Sequence, residues 1–184
     1  MRICFRTKTA FDGRCRAAAL ALLSTVLLLA ASSVAGGRSQ DCLKVLRVYD
    51  GDTVLISAPS GRGLVRLLGI DAPETSKSRG QAGQPFSARS RRYLAGRILN
   101  RCVQLEVYGV DRYDRRLAVI HLEGANINLE MVTRGLAEVY RGRTPQGFDR
   151  RPYRQAAETA RREGRGMWAQ GEAYRSPMEW KHGP

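Results

Sequence analysis

Residues 43–70 of this chain read LKVLRVYDGDTVLISAPSGRGLVRLLGI, and this stretch decides the fold. It contains three β-rich runs, which are Leu43–Tyr49, Thr53–Ser57 and Leu64–Ile70. Asp50-Gly51 separates the first two runs, and the Pro, Ser and Gly residues of 59–63 separate the second from the third. Both separators have the composition of tight turns, so the domain is predicted to open with a three-stranded meander.

The rest of the chain adds two further β-rich runs and three helical segments. The fourth and fifth β-rich runs are Val103–Tyr108 and Leu117–Leu122. The helices are predicted from Ser87, as a capping residue, to Asn100, from just after Asn128 to Gly135, and from near Pro152 to just before Gly164. This order of elements is typical of an α+β fold, a five-stranded OB-type Greek-key β-barrel with three helices.

The first 35 residues are typical of an export signal. Basic residues precede a charge-free, largely apolar stretch at 17–31, and Ser33-Val34-Ala35 resembles a cleavage site. An uncleaved membrane anchor is the competing interpretation, because 17–35 approaches the ~20 residues that a spanning helix needs. The predicted organisation has three parts, namely a signal peptide at 1–35, the folded domain at 42–170 and a loosely ordered tail at 171–184.

The charge of the chain favours an anionic partner. The formal net charge is +14, and it is +10 once residues 1–35 are removed, because that segment carries five Lys/Arg and one Asp. A basic domain attracts polyanions, so nucleic acid is the natural partner and an anionic surface is the second choice. Basic charge that serves only solubility is the plain alternative.

Cysteine usage indicates the compartment. Cys4 and Cys15 lie in the predicted signal, so Cys42 and Cys102 remain in the mature chain, where two thiols in an oxidising space can pair. Each opens a predicted strand, so a disulfide between neighbouring strands is one interpretation. Two unpaired cysteines, one of them packed as a small hydrophobic residue, is the other. The sequence therefore predicts an exported protein, periplasmic or secreted, without a stable membrane partner after signal cleavage.

Three carboxylates stand at predicted strand ends and turns, namely those of Asp52, Asp71 and Glu74. Hard cations such as calcium take several oxygen ligands at once, and a turn supplies both carboxylates and backbone carbonyls. Asp50-Gly51-Asp52 has a plain alternative as hairpin punctuation. The acids are therefore candidates for a metal centre.

Two arginines complete this candidate chemistry. Arg66 lies in the third predicted strand, and Arg115 starts the fifth. A guanidinium matches phosphate oxygens and stabilises the negative charge that builds up when water attacks a phosphodiester, although any single arginine here also fits a solvated face. Histidine chemistry is not indicated, because His121 and His182 are the only two histidines. What remains is carboxylate and arginine chemistry.

Four blocks of the sequence, taken in order, resemble the thermonuclease (staphylococcal nuclease) family. They are Val48-Tyr49-Asp50-Gly51-Asp52-Thr53-Val54, Arg66-Leu67-Leu68-Gly69-Ile70-Asp71-Ala72-Pro73-Glu74-Thr75, Asp111-Arg112-Tyr113-Asp114-Arg115-Arg116-Leu117-Ala118 and Arg134-Gly135-Leu136-Ala137. The similarity spans Leu43 to Trp168. Each block alone is unspecific, but their order along the chain is specific.

The resemblance implies a calcium-dependent endonuclease that hydrolyses DNA and RNA to products ending in 3′-phosphate. It assigns the calcium ion (Ca2+) to Asp52 and Asp71 with the backbone carbonyl of Ala72. It assigns the attacking water to Glu74 and the scissile phosphate to Arg66 and Arg115. Ala72 replaces a threonine of the best-known member, which a carbonyl ligand tolerates.

The resemblance is weaker at the nucleotide-binding tyrosines. Tyr113 matches its counterpart before Arg115, whereas the paired tyrosines of the best-known member have no clear match around Tyr140. Tyr140 can stack on a base or simply pack as an aromatic residue. The expected substrates are single strands and loosened duplexes, bound by a monomer. The alternative from another class is a non-catalytic OB-fold module that binds nucleic acid, for which Arg66, Glu74 and Arg115 together would have no use.

Overall fold

The structure is a computed structural model that describes residues 42–59, 61–76 and 82–182. The chain separates into two units, Met1–Ser39 and Gln40–Pro184, and every element described below belongs to the second. The predicted signal peptide lies outside the described residues. Within the described ranges, no helix has the length and apolar character needed to cross a membrane.

A closed barrel of five long strands forms the centre of the domain. These strands are β1 (Leu43–Val48), β2 (Thr53–Ala58), β3 (Gly61–Leu67), β5 (Cys102–Val110) and β6 (Arg116–Leu122). Three two-residue strands accompany them, namely β4 (Ile70–Asp71), β7 (Ala125–Asn126) and β8 (Glu138–Val139). Neighbours pair in the order β3-β2-β1-β5-β6-β7, and a parallel pairing of β3 with β6 closes the barrel. The predicted five-stranded OB-type barrel is therefore confirmed.

The third predicted strand is shorter than the sequence indicates. It was expected to run to Ile70, but it ends at Leu67, and Ile70–Asp71 pairs with β8 instead of with the barrel. The break occurs at Gly69, whose φ is +81°, and a Cβ built there would lie 2.3 Å from the Phe148 ring. A residue without a Cβ thus lets the chain turn out of the barrel immediately before the acidic block.

The three predicted helices are present as α1 (Ser87–Ile98), α2 (Ile127–Thr133) and α3 (Arg151–Arg162). The third begins next to Pro152, as expected, whereas the first residues of the other two differ from the expectation. Phe86 instead of Ser87 takes the cap position of α1 and makes no side-chain capping bond, and the Asn126 side chain caps α2 by accepting from the Leu129 N–H at 2.9 Å. Asn128 lies inside α2 and is fully buried. Gly135 follows α2 with φ +65°, as expected for a helix terminator.

The C-terminal segment is not loosely ordered over 171–182, so that prediction was wrong. A 3₁₀ segment (Gly166–Ala173) leads into a fourth helix, α4 (Pro177–His182). Ser176 N–H donates to Glu179 Oε2 at 2.8 Å, and Glu179 N–H donates to Ser176 Oγ at 3.2 Å. This reciprocal capping box starts a helix that is too short to show a hydrophobic period.

The core joins the barrel interior to one face of α1 and α2. Leu94 and Ile98 of α1 are fully buried, as their four-residue spacing predicts. Asn128 of α2 links the barrel to the break after β3, because its Nδ2 donates to Leu68 O and Ala118 O at 3.0 Å each. Its Oδ1 accepts from the Ile120 N–H at 3.1 Å. These bonds fix the strand ends that carry the candidate residues.

Cys42 and Cys102 form a disulfide with a Cα–Cα distance of 5.0 Å. The two residues lie beside the β1–β5 pairing, in which Lys44 faces Cys102. Of the two interpretations that the sequence allows, the structure has the bridged one.

Candidate functional site

The candidate residues meet at one end of the barrel. Pairing of β3 with β6 places Arg66 beside Leu117, and therefore places the end of β3 next to the loop that carries Arg115. The β1–β2 turn brings Asp52 to the same end, because Leu67 N–H donates to Asp52 O at 2.8 Å. A cleft of about 730 Å³ opens here. Its walls include Asp50, Arg66, Glu74, Tyr113, Arg115, Tyr140 and Lys181.

Asp52 is 2% exposed, and both of its carboxylate oxygens have bonding partners. Its Oδ2 accepts from the Ala72 N–H at 2.8 Å, and its Oδ1 accepts from Thr53 Oγ1 at 3.2 Å and pairs with Arg66. Asp50 shapes the turn, since its Oδ1 accepts from the Asp52 N–H at 2.9 Å. Burial raises the pKa of the Asp50 carboxyl, although Arg66 opposes that effect. Asp50 thus fits the predicted hairpin role and lines the cleft, whereas the buried Asp52 is not among the described residues that line it.

Arg66 is the cation between the two buried aspartates. Besides Asp52, its Nη2 donates to Asp71 Oδ1 at 2.9 Å. Asp71 is 5% exposed, and the Arg66 side chain is 15% exposed. Because both carboxylates bind the same guanidinium, the arginine is rigid while it still lines the cleft.

Glu74 lies on the loop after β4, and its backbone is fixed by one buried side chain. Gln84 Oε1 accepts from the Glu74 N–H at 3.0 Å, and the Gln84 N–H donates to Glu74 O at 2.8 Å. The Glu74 side chain remains 23% exposed in the cleft. A carboxylate at this position can accept a proton from a water molecule in the cleft while its backbone stays fixed.

Lys181 is a site residue that the sequence reasoning missed. Its Nζ lies 2.8 Å from Asp71 Oδ1 and 2.9 Å from Glu74 Oε1. Burial lowers the pKa of this ammonium, but the bonds to Asp71 and Glu74 outweigh burial, so the pKa is raised overall. The sequence does contain one sign of the helix that carries Lys181. The capping pattern Ser176-x-x-Glu179 predicts that a helix starts at Ser176, five residues before Lys181.

Arg115 is oriented by Asp111. Asp111 Oδ2 accepts from Arg115 Nε at 2.8 Å, while its Oδ1 accepts from the backbone N–H groups of Tyr113 and Arg115 at 2.9 and 3.0 Å. Burial raises the pKa of Asp111, but the bonds from Arg115 and from these N–H groups outweigh it, so the pKa is lowered. Asp111 therefore fixes both the backbone of the β5–β6 loop and the guanidinium of Arg115.

Both predicted tyrosines line the cleft. Tyr113 is 62% exposed, and the Arg115 guanidinium carbon lies 5.3 Å from its ring centroid. Tyr140 is 36% exposed, and its N–H donates to Gly69 O at 2.9 Å, which anchors it beside the break after β3. Both rings are thus available to an aromatic partner. Arg143, which the sequence reasoning did not select, lines the same cleft.

The carboxylates at this end are ligands of the type that a hard cation takes, but they are not assembled as a metal site. Two buried carboxylates, Asp52 and Asp71, meet on Arg66, and Glu74 shares Lys181 with Asp71. The described residues that line the cleft include neither histidine nor cysteine, and calcium takes oxygen ligands. Over 42–59, 61–76 and 82–182, no three His, Cys, Asp or Glu side chains are grouped closely enough to hold a metal ion as they stand. The carboxylates are gathered around two protein cations instead.

Known proteins resemble this chain over most of its length. The family model described as staphylococcal nuclease homologue matches residues 64–170. A Haemophilus influenzae protein named uncharacterized endonuclease is 34% identical over 161 residues, which cover 87% of this chain and 84% of that protein.

Two fungal proteins named probable endonuclease LCL3 are also similar. The one from Coccidioides posadasii is 36% identical over 132 residues, which cover 64% of this chain and 42% of that protein. The one from Podospora anserina is 33% identical over 115 residues, which cover 57% and 41%. The chain spans about two fifths of the length of these fungal relatives. With the family model and the bacterial relative both matching most of the domain, this chain belongs to the staphylococcal nuclease family.

Proposed function

We propose that this protein is a calcium-dependent endonuclease that hydrolyses DNA and RNA phosphodiesters to products with 3′-phosphate ends. One observation carries the proposal: Arg66, Arg115 and Glu74 line a single cleft, although they come from β3, the β5–β6 loop and the loop after β4. A module that only binds nucleic acid needs basic residues but no carboxylate beside them. Relatives named as endonucleases support the same activity.

The two arginines bind the scissile phosphate. Each is held by carboxylates, Arg66 by Asp52 and Asp71 and Arg115 by Asp111. A guanidinium fixed in this way is oriented before the substrate arrives, so little reorganisation is needed as charge builds up on the phosphate oxygens. Arg115 also favours departure of the 5′-oxygen, because it stabilises the negative charge on the leaving group.

Glu74 orients or deprotonates the attacking water. Its backbone is fixed by Gln84 on both sides, and its partly exposed carboxylate faces the cleft that holds the arginines. Attack in line with the leaving oxygen requires the water and the phosphate to be positioned together, which a fixed loop favours.

The metal ligands are Asp52, Asp71 and the backbone carbonyl of Ala72. The Asp52 carboxylate already holds the Ala72 N–H, so the two residues are positioned as a unit. When bound, a calcium ion supplies positive charge that neutralises the attacked phosphate and orients water. Asp71 connects this ligand set to Glu74 through Lys181.

Tyr113 and Tyr140 stack on or flank the nucleotide. Unstacked bases offer a ring face to exposed tyrosines, so the preferred substrates are single strands and loosened duplexes. The net charge of +10 that remains without residues 1–35 supports encounter with either DNA or RNA. The proposed active species is a monomer, which the sharing of one cleft by Arg66, Glu74 and Arg115 of a single chain supports.

The protein acts outside the cytoplasm, in the periplasm or after secretion. The apolar segment after the basic N-terminus supports export, and the Cys42–Cys102 disulfide supports an oxidising compartment. Cleavage near residue 35 leaves the domain free of its signal.

One assay tests the activity and the metal together. The mature protein is incubated with plasmid and single-stranded DNA or RNA, with calcium or with a chelator, and the product ends are identified by labelling before and after phosphatase treatment. The expected result is calcium-dependent cleavage, faster on single strands, with 3′-phosphate ends. Cleavage that continues fully in chelator contradicts the metal assignment, and binding without cleavage supports the OB-fold binding module.

A further inference from the structure

The C-terminal helix places an ammonium group on two residues of the proposed centre. Lys181 Nζ lies within 2.9 Å of oxygens of both Asp71 and Glu74, and its side chain is 31% exposed. These carboxylates come from β4 and from the loop after it, whereas α4 lies more than a hundred residues later in the chain. Lys181 therefore contacts the predicted metal ligand and the predicted water-positioning residue at once.

The position of α4 depends on contacts that reach the same loop. Gln84, whose side chain holds the Glu74 N–H, donates through Nε2 to Arg175 O at 2.7 Å. Gln84 is 4% exposed, so this link is a buried one. The Tyr174 hydroxyl donates to Glu138, which pairs with Asp71 in the β4–β8 ladder. The tail is thus attached to both residues that Lys181 touches.

The carboxylate oxygens at this site can bind either a divalent cation or the Lys181 ammonium, but not both at the same oxygens. Asp52, Asp71 and Glu74 carry three negative charges in total. Arg66 and Lys181 neutralise two of them. A cation on Asp71 would meet the positive Lys181 group at hydrogen-bonding distance, and like charges that close repel each other. Calcium and Lys181 are therefore alternative partners of Asp71.

We propose that Lys181 is an internal cation that competes with calcium for Asp71 and Glu74, so that metal binding releases α4 from the cleft. This inference rests on the proposed function, because it assumes that calcium binds at Asp71. The apo protein keeps its carboxylates paired through the tail, and the metal-loaded protein has a free Glu74 and a wider cleft. The tail acts as a built-in competitor that sets the calcium concentration at which the enzyme is loaded.

Calcium titration by calorimetry on the mature chain, without substrate, tests the competition. Lys181→Met removes the charge and keeps most of the side-chain length, so calcium affinity should rise roughly 5- to 150-fold, the usual range of coupling between two linked ligands. Lys44→Met is the matched control, because Lys44 is exposed on β1 and its loss changes the net charge equally. Lys181→Arg keeps the charge and should keep an affinity close to that of the wild type.

A fluorescence titration reports on the helix itself. Trp180 precedes Lys181, and calcium should change its emission in the wild type; the change should disappear in Trp180→Phe. Equal calcium affinity in the wild type, Lys181→Met and Lys44→Met overturns the competition while leaving calcium-dependent cleavage intact. Absence of calcium binding in all variants, together with cleavage in chelator, overturns the metal assignment and this inference with it.

Discussion

The carboxylate of Asp52 accepts a hydrogen bond from the backbone N–H of Ala72 at 2.8 Å, across 20 residues of sequence. This contact joins the β1–β2 turn to the chain that has just left the barrel at Gly69. It holds two members of the predicted ligand set, the Asp52 carboxylate and residue Ala72, next to each other. Arg66, which pairs with the same carboxylate, fixes its orientation. Stability and the proposed metal binding therefore both depend on this residue.

Replacing Asp52 is expected to affect both properties. Asp52→Ala leaves the Ala72 N–H without its acceptor and Arg66 with Asp71 as its remaining carboxylate partner, so the free energy of unfolding should fall by about 3 kcal/mol. Asp52→Asn keeps an acceptor and should lose less, while both variants should lose calcium binding. Urea denaturation and calcium calorimetry measure the two effects. Unchanged calcium affinity in Asp52→Asn would remove Asp52 from the ligand set.

Replacing Glu74 is expected to affect the rate alone. Glu74→Gln keeps the size of the side chain but removes the base, so single-turnover cleavage should slow by roughly 10²–10⁴-fold, the usual contribution of a general base. The thermal midpoint should change little. Glu172→Gln is the control, because Glu172 is exposed on the 3₁₀ segment. A Glu74→Gln rate equal to that of the control would exclude Glu74 as the base.

Arg115 is expected to act through its two-pronged geometry as well as its charge. Arg115→Ala should slow cleavage by about 10²–10³-fold, the effect of removing one donor to a developing oxyanion. Arg115→Lys should recover only part of that loss, because an ammonium cannot form the paired bonds of a guanidinium. Arg154→Ala, on the exposed side of α3, controls for lost positive charge. Full recovery by lysine would reduce the role of Arg115 to simple charge.

The pair between α1 and α2 is expected to make stability depend on pH. Burial raises the pKa of Glu130, but bonds from Tyr93 and Arg97 outweigh it, so the pKa lies below its usual 4.5. Its stabilising contribution is therefore complete above about pH 4.5 and is lost as pH falls through the lower folded value. The stability difference between the wild type and Glu130→Gln, measured by denaturation from pH 7 to 3, should shrink with acid. A difference that grows with acid would contradict this sign.

Loss of the disulfide is expected to lower stability without disturbing the cleft. The bridge closes a loop between residues 60 positions apart, and a bridge of this kind contributes about 2–4 kcal/mol. The Cys42→Ser, Cys102→Ser double variant should unfold at lower urea and still cleave in calcium. Identical denaturation midpoints with and without reductant in the wild type would show that the bridge does not stabilise the domain.

The five long strands and three of the helices could be predicted because their apolar periods are produced by burial of one face. Leu94 and Ile98 are fully buried at their predicted spacing. The closing pair of β3 and β6 is parallel and distant in sequence, so local pattern predicts the strands but not this contact. The break at Gly69 was missed because Leu64 to Ile70 is apolar apart from Arg66 and Gly69, and only the packing of Phe148 shows why a Cβ is excluded.

Asp71 and Glu74 were found because they share one turn, and Asp52, Arg66 and Arg115 because they lie in blocks that resemble the nuclease family. Lys181 was missed because it lies in none of these blocks. Asp71 and Glu74 lie within one block, so their proximity follows from chain length alone. Lys181 reaches them through the tertiary path of α4, and a six-residue helix has too few turns to show an apolar stripe. Asn128 was taken as a helix boundary because asparagine is common there, whereas its three buried bonds depend on strands that are remote in sequence.

The parallel pairing of β3 with β6 joins two parts of the chain that are distant in sequence, and the cleft depends on it. Arg66 lies on β3 and Arg115 immediately precedes β6, so a chain with every hairpin formed but the β3–β6 pairing open would have both arginines and no shared cleft. An unfolded chain therefore contains both arginines and Glu74 without the cleft that brings them together in the folded domain.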